Sequence, residues 1–162
     1  MNLDEIDRRI LAELQADGRL SNQDLAHRVN LTPSPCLRRV RMLEKSGYIQ
    51  GYRAVLNRDR VGLGLTVFVE IKVASHGEEG ISSALQAALS ELIEVVSFHI
   101  VSGEADFLLE VVVPDLRAYE HFLMERLLKF PSIKEVRSNF AIRSRKTHAP
   151  LPLNHLTLET KI

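Results

Sequence analysis

The sequence predicts an α+β protein with two parts: an N-terminal helix-turn-helix unit of the winged kind and a C-terminal ferredoxin-like sheet unit. One change in periodicity along the 162 residues predicts this division. Within residues 1–50, apolar residues recur at the spacing of an amphipathic helix. From Leu65 they alternate with polar residues, which is typical of strands. The segment between them, 51–64, is basic and contains three glycines.

Three short helices are predicted within residues 1–50. Ser21 and Thr32 occupy positions typical of helix N-caps, and Gly18 and Gly47 lie where helices should end. The second helix, a short turn and a longer third helix have the spacing of a helix-turn-helix. The apolar positions that define the three helices are Ile6, Ile10, Leu11 and Leu14, then Leu25, Ala26 and Val29, then Leu37, Val40 and Leu43.

The third helix begins within "LTPSPCLRRVRMLEKSGYI", residues 31–49. Thr32 is its predicted N-cap, and Pro33 occupies the first helical position, where proline is favoured. Pro35 still lies in the first turn, where no intrahelical N–H bond is lost. The two prolines therefore define where the helix starts, which lowers the cost of ordering that end before it meets a partner.

The second part has the element order β-α-β-β-α-β over residues 65–145, which is the ferredoxin-like arrangement. Its predicted elements are a strand at 65–73, a helix at 78–92, a hairpin of "VVSFHIVS" and "DFLLEVVV" around the turn "GEA", a helix capped by Asp115 and a strand at "KEVRSNFAIR". Residues 51–64 are predicted to hold a short strand that leads into a linker. The tail, 146–162, should be extended or mobile unless a partner chain holds it.

The charge distribution indicates a polyanion-binding part. Residues 34–60 hold seven Lys or Arg against two acids, a net charge of +5, whereas residues 61–140 hold six against twelve, a net of −6. The whole chain has a net charge of zero, which hides this asymmetry. No apolar run is long enough for a membrane span, and the first residues do not resemble a secretory signal, so we expect a cytoplasmic protein. Cys36 is the single cysteine, which excludes an internal disulfide, and we expect it to be a small core residue.

The exposed face of the third helix predicts DNA binding. With Leu37, Val40 and Leu43 buried, the opposite face is basic, and phosphates supply most of the affinity of proteins for DNA. Arg38 is best centred to read a guanine in the major groove. The alternative is a merely solvated face, but these cations have only Glu44 nearby to pair with. The candidate DNA-binding residues are Ser21, Asn22, Gln23, Thr32, Ser34, Pro35, Arg38, Arg39, Arg41, Met42, Lys45 and Arg53.

These motifs resemble a known family. The stretch from "LDEIDRRILAEL" through "TPSPCLRRVRMLEKSGYIQGY" is similar to the DNA-binding domain of the Lrp/AsnC (leucine-responsive) family of prokaryotic transcription regulators. The stretch "VSGEADFLLEVVVPD" resembles that family's ligand-sensing domain. The resemblance runs from about residue 3 to residue 142. It is greatest to leucine-responsive members, although members that sense other amino acids share the motifs.

The resemblance implies a homo-oligomer and an amino-acid effector. Members of this family form dimers through their sensing domains, and the dimers commonly assemble into octamers around which DNA can wrap. The effector binds between dimers near the hairpin. The residues agree with a second copy, because β-strand residues 95–101 are apolar on both faces, and two helices cover only one face of a four-stranded sheet.

The hairpin "VSGEADFLL" is the candidate effector site. Glu104 and Asp106 are suited to hold an ammonium group, and backbone N–H groups around Gly103 are suited to receive a carboxylate. The alternative is a hairpin turn whose acids face water. In the family, the positions of the glycine and Asp106 belong to the effector region. The full set of candidates is Val101, Ser102, Gly103, Glu104, Asp106, Leu116, Phe140, Ala141 and Ile142.

Other functions are less well supported by the sequence. The six histidines show no metal-ligand spacing, and neither a catalytic triad nor a phosphate-binding loop is present. Tetrapyrrole (haem-precursor) decarboxylases resemble this two-part layout, but their DNA-binding half is degenerate, whereas the third helix here is intact and basic. A sensing module that acts only through protein partners is the other alternative. We therefore expect a cytoplasmic, nucleoid-associated regulator that is not an enzyme and has no cofactor besides its effector.

Overall fold

The computed structural model describes residues 3–74 and 79–156 and divides the chain into two compact units. The first unit contains residues 1–55 together with 146–162, and the second contains residues 56–145. The elements of the whole chain, in order, are α1 (Glu5–Ala16), α2 (Asn22–Arg28), α3 (Pro33–Lys45), β1 (Leu65–Val73), α4 (Glu79–Ser90), β2 (Val95–Ile100), β3 (Phe107–Val113), α5 (Leu116–Glu125), a 3₁₀ turn (Leu127–Lys129) and β4 (Ile133–Phe140).

The first two helices of the first unit start at side chains that accept backbone hydrogen bonds. Asp4 caps α1 by accepting from the Asp7 N–H at 2.9 Å, and Asp7 in turn accepts from the Asp4 N–H at 3.2 Å. Ser21 caps α2 in the predicted way. Beyond the end of α3, Gly47 adopts a φ of +75°, which a residue with a side chain rarely tolerates. The three predicted helices are confirmed.

A single apolar core holds the three helices together. Its buried residues come from α1, α2 and α3 and include Ile10, Leu25, Cys36 and Leu43. Cys36 is fully buried, as the sequence predicted, and this burial raises the pKa of its thiol. A fully buried thiol on the inner face of α3 is a packing residue.

The described part of the tail belongs to this core, which differs from the prediction of an extended or mobile end. Leu153 and Leu156 pack against the core cluster of the first unit. Leu151 donates its N–H to the Gln15 side-chain oxygen at 2.7 Å, and its carbonyl accepts from the Gln15 amide at 3.4 Å. Residues 150–156, which we call the strap, therefore lie along α1. The prediction missed the strap because its three leucines lie among prolines and polar residues and follow no periodic pattern.

The second unit is a four-stranded antiparallel sheet with the order β2-β3-β1-β4. This order confirms the ferredoxin-like arrangement, since the two central strands are β1 and β3. Alternate residues of these strands, such as Val69 and Leu109, are fully buried with Leu89 of α4 and Phe122 of α5. Asp115 caps α5 as predicted, accepting from the Ala118 N–H at 2.9 Å.

The face of the sheet away from this core is less apolar than the sequence suggested. A register shift between Val95 and Ser97 breaks the alternation of β2, so that Val95 and Phe98 both pack against the core. On the other face β2 presents Ser97 and His99, which pair with Glu110 and Leu108. Our prediction of strand residues that are apolar on both faces was wrong for β2, because a bulge and not strict alternation sets its side-chain directions.

Residues 51–64 contain no strand, so the predicted short strand is absent. An extended segment has no ladder of hydrogen bonds unless another strand lies beside it. The segment ends in a compact turn, in which Leu63 donates its N–H to the Arg58 carbonyl at 2.8 Å. Among residues 3–74 and 79–156, none of the helices is long and apolar enough to cross a membrane.

Candidate functional site

The exposed face of α3 carries a line of polar side chains. Ser34, Arg38, Arg41 and Lys45 are all exposed. Their spacing of four, three and four residues places them along one side of the helix. Met42 is 40% exposed beside this line. The structure therefore brings together five of the predicted DNA-binding residues on one accessible surface.

The buried side of α3 is rotated slightly from the predicted one. Leu37, which we expected in the core, is 36% exposed, and the fully buried positions are Cys36 and Leu43, with Val40 partly buried. The burial of Cys36 agrees with the prediction that it is a small core residue, whereas the exposure of Leu37 does not agree with its predicted place in the core. The rotation moves Leu37 to the edge of the basic line and leaves Pro35 half-buried.

Arg39, which the sequence analysis placed among the candidate DNA-binding residues, is not part of this exposed line. Its Nη1 lies 2.7 Å from an oxygen of Asp4 and 2.7 Å from an oxygen of Asp7, and its side chain is only 24% exposed. The expectation that these arginines lack acidic partners was wrong for Arg39. Both partners lie more than thirty residues earlier in the chain, so local charge patterning does not show them.

Two of the predicted residues at the start of α2 make bonds within the unit. The Ser21 hydroxyl donates to a carboxylate oxygen of Asp24 at 2.6 Å and accepts from the Asp24 N–H. The Asn22 amide donates to the Pro33 carbonyl at 2.9 Å, so it joins the starts of α2 and α3. Asn22 is half-buried, whereas Ser21 and Gln23 are exposed.

Two further predicted residues are exposed outside the basic line. Thr32 stands at the N-cap position of α3, but its side chain makes no cap hydrogen bond. Arg53 is exposed in the extended segment after Gly51. Its neighbour Tyr52 donates a hydrogen bond to Glu44 at 3.1 Å, and partial burial together with this bond raises the pKa of the Tyr52 hydroxyl.

The hairpin between β2 and β3 holds the first group of predicted effector residues. Val101 donates its N–H to the Asp106 carbonyl at 3.0 Å, which closes the hairpin, and Gly103 has a φ of +118° that favours glycine. Ser102 and Glu104 are exposed, the side chain of Glu104 at 88%. The hairpin thus presents a glycine-containing turn with accessible polar groups.

Asp106 has a structural contact that the sequence did not predict. One of its carboxylate oxygens accepts the N–H of Val73 at 2.8 Å, while its own N–H donates to the Ile71 carbonyl at 2.9 Å. These bonds join the start of β3 to the end of β1. An ammonium ligand would therefore meet a carboxylate already engaged with the backbone.

The second group of predicted effector residues lies at the other end of the sheet. Leu116, Phe140 and Ile142 are exposed and Ala141 is half-buried. Ala141 donates its N–H to the Thr66 carbonyl at 3.0 Å, next to the start of β1. The hairpin, in contrast, lies beside the end of β1, where Ile71 pairs with Phe107. Since β3 rises about 3.4 Å per residue, the two ends are separated by about 20 Å within one chain. The structure therefore does not bring the nine residues together.

A polar cavity of about 260 Å³ beside the hairpin is lined by the predicted Glu104 and by residues that the sequence prediction missed. Among these is Arg137 of β4, which lies 3.6 Å from Glu70 and 4.0 Å from Glu104. Lys72 and Glu135 complete its charged lining. The signal in the sequence was the placement of charged residues at alternate positions of β1 and β4, opposite the core positions.

Within the described ranges, no group of three or more His, Cys, Asp or Glu is placed to hold a metal ion. His99 shares a hydrogen bond of 2.7 Å with the hydroxyl of Ser97. His76 lies outside the described residues.

Comparison with known proteins identifies both units. Residues 3–50 match the family described as winged helix-turn-helix DNA-binding, and residues 66–151 match the Lrp/AsnC ligand binding domain. The leucine-responsive regulatory protein of Salmonella typhimurium is 43% identical over 99% of this chain and 94% of its own length. The protein of the same name from Escherichia coli is 42% identical over the same shares. The chain belongs to the Lrp/AsnC family of transcription regulators.

Solved structures of Lrp/AsnC regulators have the same fold. An AsnC family regulator from Agrobacterium tumefaciens has a TM-score of 0.91 and 39% identity, and the match covers 96% of this chain and all of that one. A transcriptional regulator from Neisseria meningitidis in complex with L-Met has a TM-score of 0.90 and 36% identity, with the same coverage. As an Lrp/AsnC protein, the chain is a DNA-binding transcription regulator whose second unit is an amino-acid-responsive ligand-binding domain.

Proposed function

We propose that α3 enters the major groove of DNA and presents Ser34, Arg38, Arg41, Met42 and Lys45 to it. The exposed basic line on α3 is the observation that carries this proposal. Arg38 lies nearer the start of the helix, which is the part of a recognition helix that contacts base edges. Arg38 therefore reads a base, with guanine as the matching partner of a bidentate arginine.

Five of the other predicted residues serve mainly to contact phosphates. Arg41 and Lys45 lie further along the same line, and Arg53, Gln23 and Thr32 supply accessible polar groups beside it. Phosphate contacts of this kind fix the register of a protein on the duplex without reading sequence. Ser21 and Asn22 act through their backbone and through the helix start, because their side chains are already hydrogen-bonded within the unit.

We infer that the effector is an amino acid with an apolar side chain, with leucine as the first candidate. The leucine-responsive names of the relatives and the L-Met complex of the Neisseria meningitidis regulator support this choice. The hairpin around Gly103 supplies polar contacts for the charged groups of the ligand. Leu116 and Ile142, which are 64% and 101% exposed, supply apolar surface for its side chain.

The separation of these two groups along the sheet supports a site shared between copies of the chain. One chain presents the hairpin at one end of the sheet and Phe140–Ile142 at the other, so a second copy is needed to bring both groups to one ligand. We therefore propose dimers that assemble further, up to an octamer. Two DNA-binding units per dimer would read a pseudo-palindromic and bent site.

In this assignment residues 1–50 bind DNA, residues 51–64 connect, and residues 65–145 sense the effector and oligomerise. The protein acts in the cytoplasm on the nucleoid and is not an enzyme. The intact, exposed basic line on α3 supports regulation over a decarboxylase in which the DNA-binding half has degenerated. It also argues against a module that acts through protein partners alone.

The DNA-binding proposal is tested by selecting duplexes from a random pool with the purified protein and measuring their binding at several salt concentrations. We expect an enriched, roughly symmetric motif and an affinity that falls steeply with salt, because each phosphate contact releases counterions. No enrichment together with salt-independent binding would contradict the proposal.

The effector proposal is tested by thermal unfolding in the presence of each of the twenty amino acids. A ligand at about 100 times its dissociation constant adds roughly 2.7 kcal/mol to the free energy of unfolding, which raises the melting temperature clearly. We expect leucine, methionine or another apolar amino acid to do so. A response confined to charged or small polar amino acids would overturn the choice of an apolar effector.

A further inference from the structure

Arg39 lies at the centre of an ion pair that links two helices of the DNA-binding unit. It extends from α3 to the first turn of α1, where one guanidinium nitrogen contacts both Asp4 and Asp7 at 2.7 Å. The same two acids form the capping box of α1. A single arginine thus contacts both side chains that define the start of α1.

The burial of Asp7 makes this contact important to the unit. Asp7 is 2% exposed, and among the residues that the structure describes it is the charged residue that is buried. A buried carboxylate without a cation is strongly unfavourable, whereas a buried pair retains its charge. Partial burial disfavours the charge of Arg39, but its hydrogen bonds to Asp7 and Asp4 outweigh that effect and raise the pKa of its guanidinium.

The direction of Arg39 also sets the direction of its neighbours. Successive residues of a helix point about 100° apart, so holding Arg39 against α1 fixes the rotation of α3 about its axis. With Arg39 directed inward, Arg38 and Arg41 are directed to solvent. Loss of the pair would allow α3 to rotate or shift against α1 and would misplace the exposed line.

We propose that Arg39 is a positioning residue for DNA recognition, which holds α3 through Asp7 and Asp4 and makes no contact with DNA. This inference rests on the proposed role of α3 as the recognition helix. It assigns opposite roles to adjacent arginines: Arg38 reads DNA, and Arg39 orients the helix that carries Arg38.

The test compares Arg39→Gln, Asp7→Asn and the double variant Asp7→Asn/Arg39→Gln, with Arg41→Gln as the matched control. Melting temperature is measured together with affinity for the selected duplex and for a scrambled duplex over a series of salt concentrations. Arg39→Lys serves as the conservative variant, since it keeps the charge near Asp7 but loses the planar guanidinium.

We expect Arg39→Gln to lower the melting temperature by about 10 °C or more, because it leaves a buried carboxylate unpaired. Its preference for the selected duplex over the scrambled one should fall, while the dependence of affinity on salt stays as in the wild type. The double variant should recover stability and preference relative to Arg39→Gln, and Arg39→Lys should retain part of both. Arg41→Gln should keep the wild-type melting temperature. It should reduce the salt slope, which is the slope of the logarithm of affinity against the logarithm of salt concentration, by about one.

The opposite pattern would overturn the proposal. If Arg39→Gln keeps the wild-type melting temperature and reduces the salt slope as Arg41→Gln does, Arg39 contacts a phosphate. If the double variant is no more stable than Arg39→Gln, the pairing with Asp7 does not support α3. Should Arg39→Gln fail to fold, Arg39→Lys and the double variant give the same comparison. A wild-type protein that binds no DNA refutes the proposed function, and the melting temperatures still decide whether the pair supports the unit.

Discussion

At the scale of single residues, the direction of a side chain decides its role in this protein. Arg38 and Arg39 are adjacent and chemically identical, yet Arg38 is exposed and Arg39 is held by Asp4 and Asp7. Sequence periodicity predicted the exposed side of α3 but not the inward direction of Arg39. That direction depends on acids at the other end of the unit, and a local pattern carries no information about such distant partners.

Replacing Arg38 with alanine should weaken binding to the selected duplex by about 1–3 kcal/mol and relax the preference at one base-pair position, because a bidentate contact to a base is lost. Binding to a panel of duplexes that differ at single positions measures this. Arg41→Ala is the control, with an equal loss on all sequences. If Arg38→Ala also weakens binding equally on every duplex, Arg38 contacts the phosphate backbone.

Replacing Asp106 by asparagine and by alanine should separate its structural contact from an effector contact. Asparagine keeps an oxygen that can accept the Val73 N–H, whereas alanine loses this bond at a cost of about 1–3 kcal/mol. We expect Asp106→Asn to retain the melting temperature but to lose the response to the effector, measured by ligand-induced thermal shift. An unchanged response in Asp106→Asn would show that the carboxylate charge does not hold the ligand.

The acid sensitivity of the unit should depend on Asp4. Burial disfavours its charge, but the hydrogen bond from the Asp7 N–H and the pairing with Arg39 outweigh that effect and lower the pKa of Asp4 below its ordinary value of 3.8. A lowered carboxyl pKa stabilises the folded state above the ordinary value, and this stabilisation is lost as the pH falls through the folded pKa.

Urea unfolding of the wild type and of Asp4→Asn at a series of pH values tests this prediction. The difference in the free energy of unfolding between them should be constant near neutral pH and should shrink below about pH 4. A difference that stays the same down to about pH 2 would contradict it. Glu5→Gln, an exposed acid one residue later, is the control.

At the scale of elements, local signals were sufficient where a neighbouring residue sets the structure, and failed where a distant one does. The N-caps Ser21 and Asp115 were predictable because a cap bonds to a backbone group three residues ahead. The bulge in β2 was not, because it depends on the register with β3. Nor was the contact of the strap with Gln15, which joins residues 136 positions apart.

The strap should contribute to the stability of the first unit. A chain that ends at Lys146 loses the packing of Leu153 and Leu156 against the helical core and the two bonds to Gln15. We expect this deletion to lower the melting temperature and the protection of amides in α1 against hydrogen exchange. The amides of β1 and β3 should keep their protection.

A chain that ends at Leu156 retains the strap and is the matched control for this deletion. It should behave as the full-length protein does. Equal protection of α1 in both truncated chains would mean that the strap adds nothing to the unit.

At the scale of the whole molecule, the predicted effector residues are divided between two ends of the sheet, and the proposed function therefore includes assembly. The fold and family were predictable from the sequence, since motifs and element order suffice for both. The division of the effector site was not, because it depends on the antiparallel register of β1 with β3 and β4.

If a second copy completes the site, Ile142→Asp should reduce the size of the assembly and weaken the effector response. A charge at a fully exposed isoleucine is tolerated in a lone chain but is unfavourable where another chain covers it. Analytical ultracentrifugation with and without the effector measures the change. Leu128→Asp, at an exposed leucine outside the predicted site, is the control, and identical behaviour of the two variants would contradict the prediction.

The contribution of the strap to the first unit has a consequence for how the protein is made. The three helices of this unit leave the ribosome before residues 56–145, and the strap leaves after those residues. At the usual rate of translation, about 5–20 s separate the two events. During that interval the nascent chain carries the three helices without their last supporting segment. A complete DNA-binding unit therefore forms only on a chain whose ligand-binding unit has already been synthesised, so that a chain terminated within residues 56–145 lacks part of both.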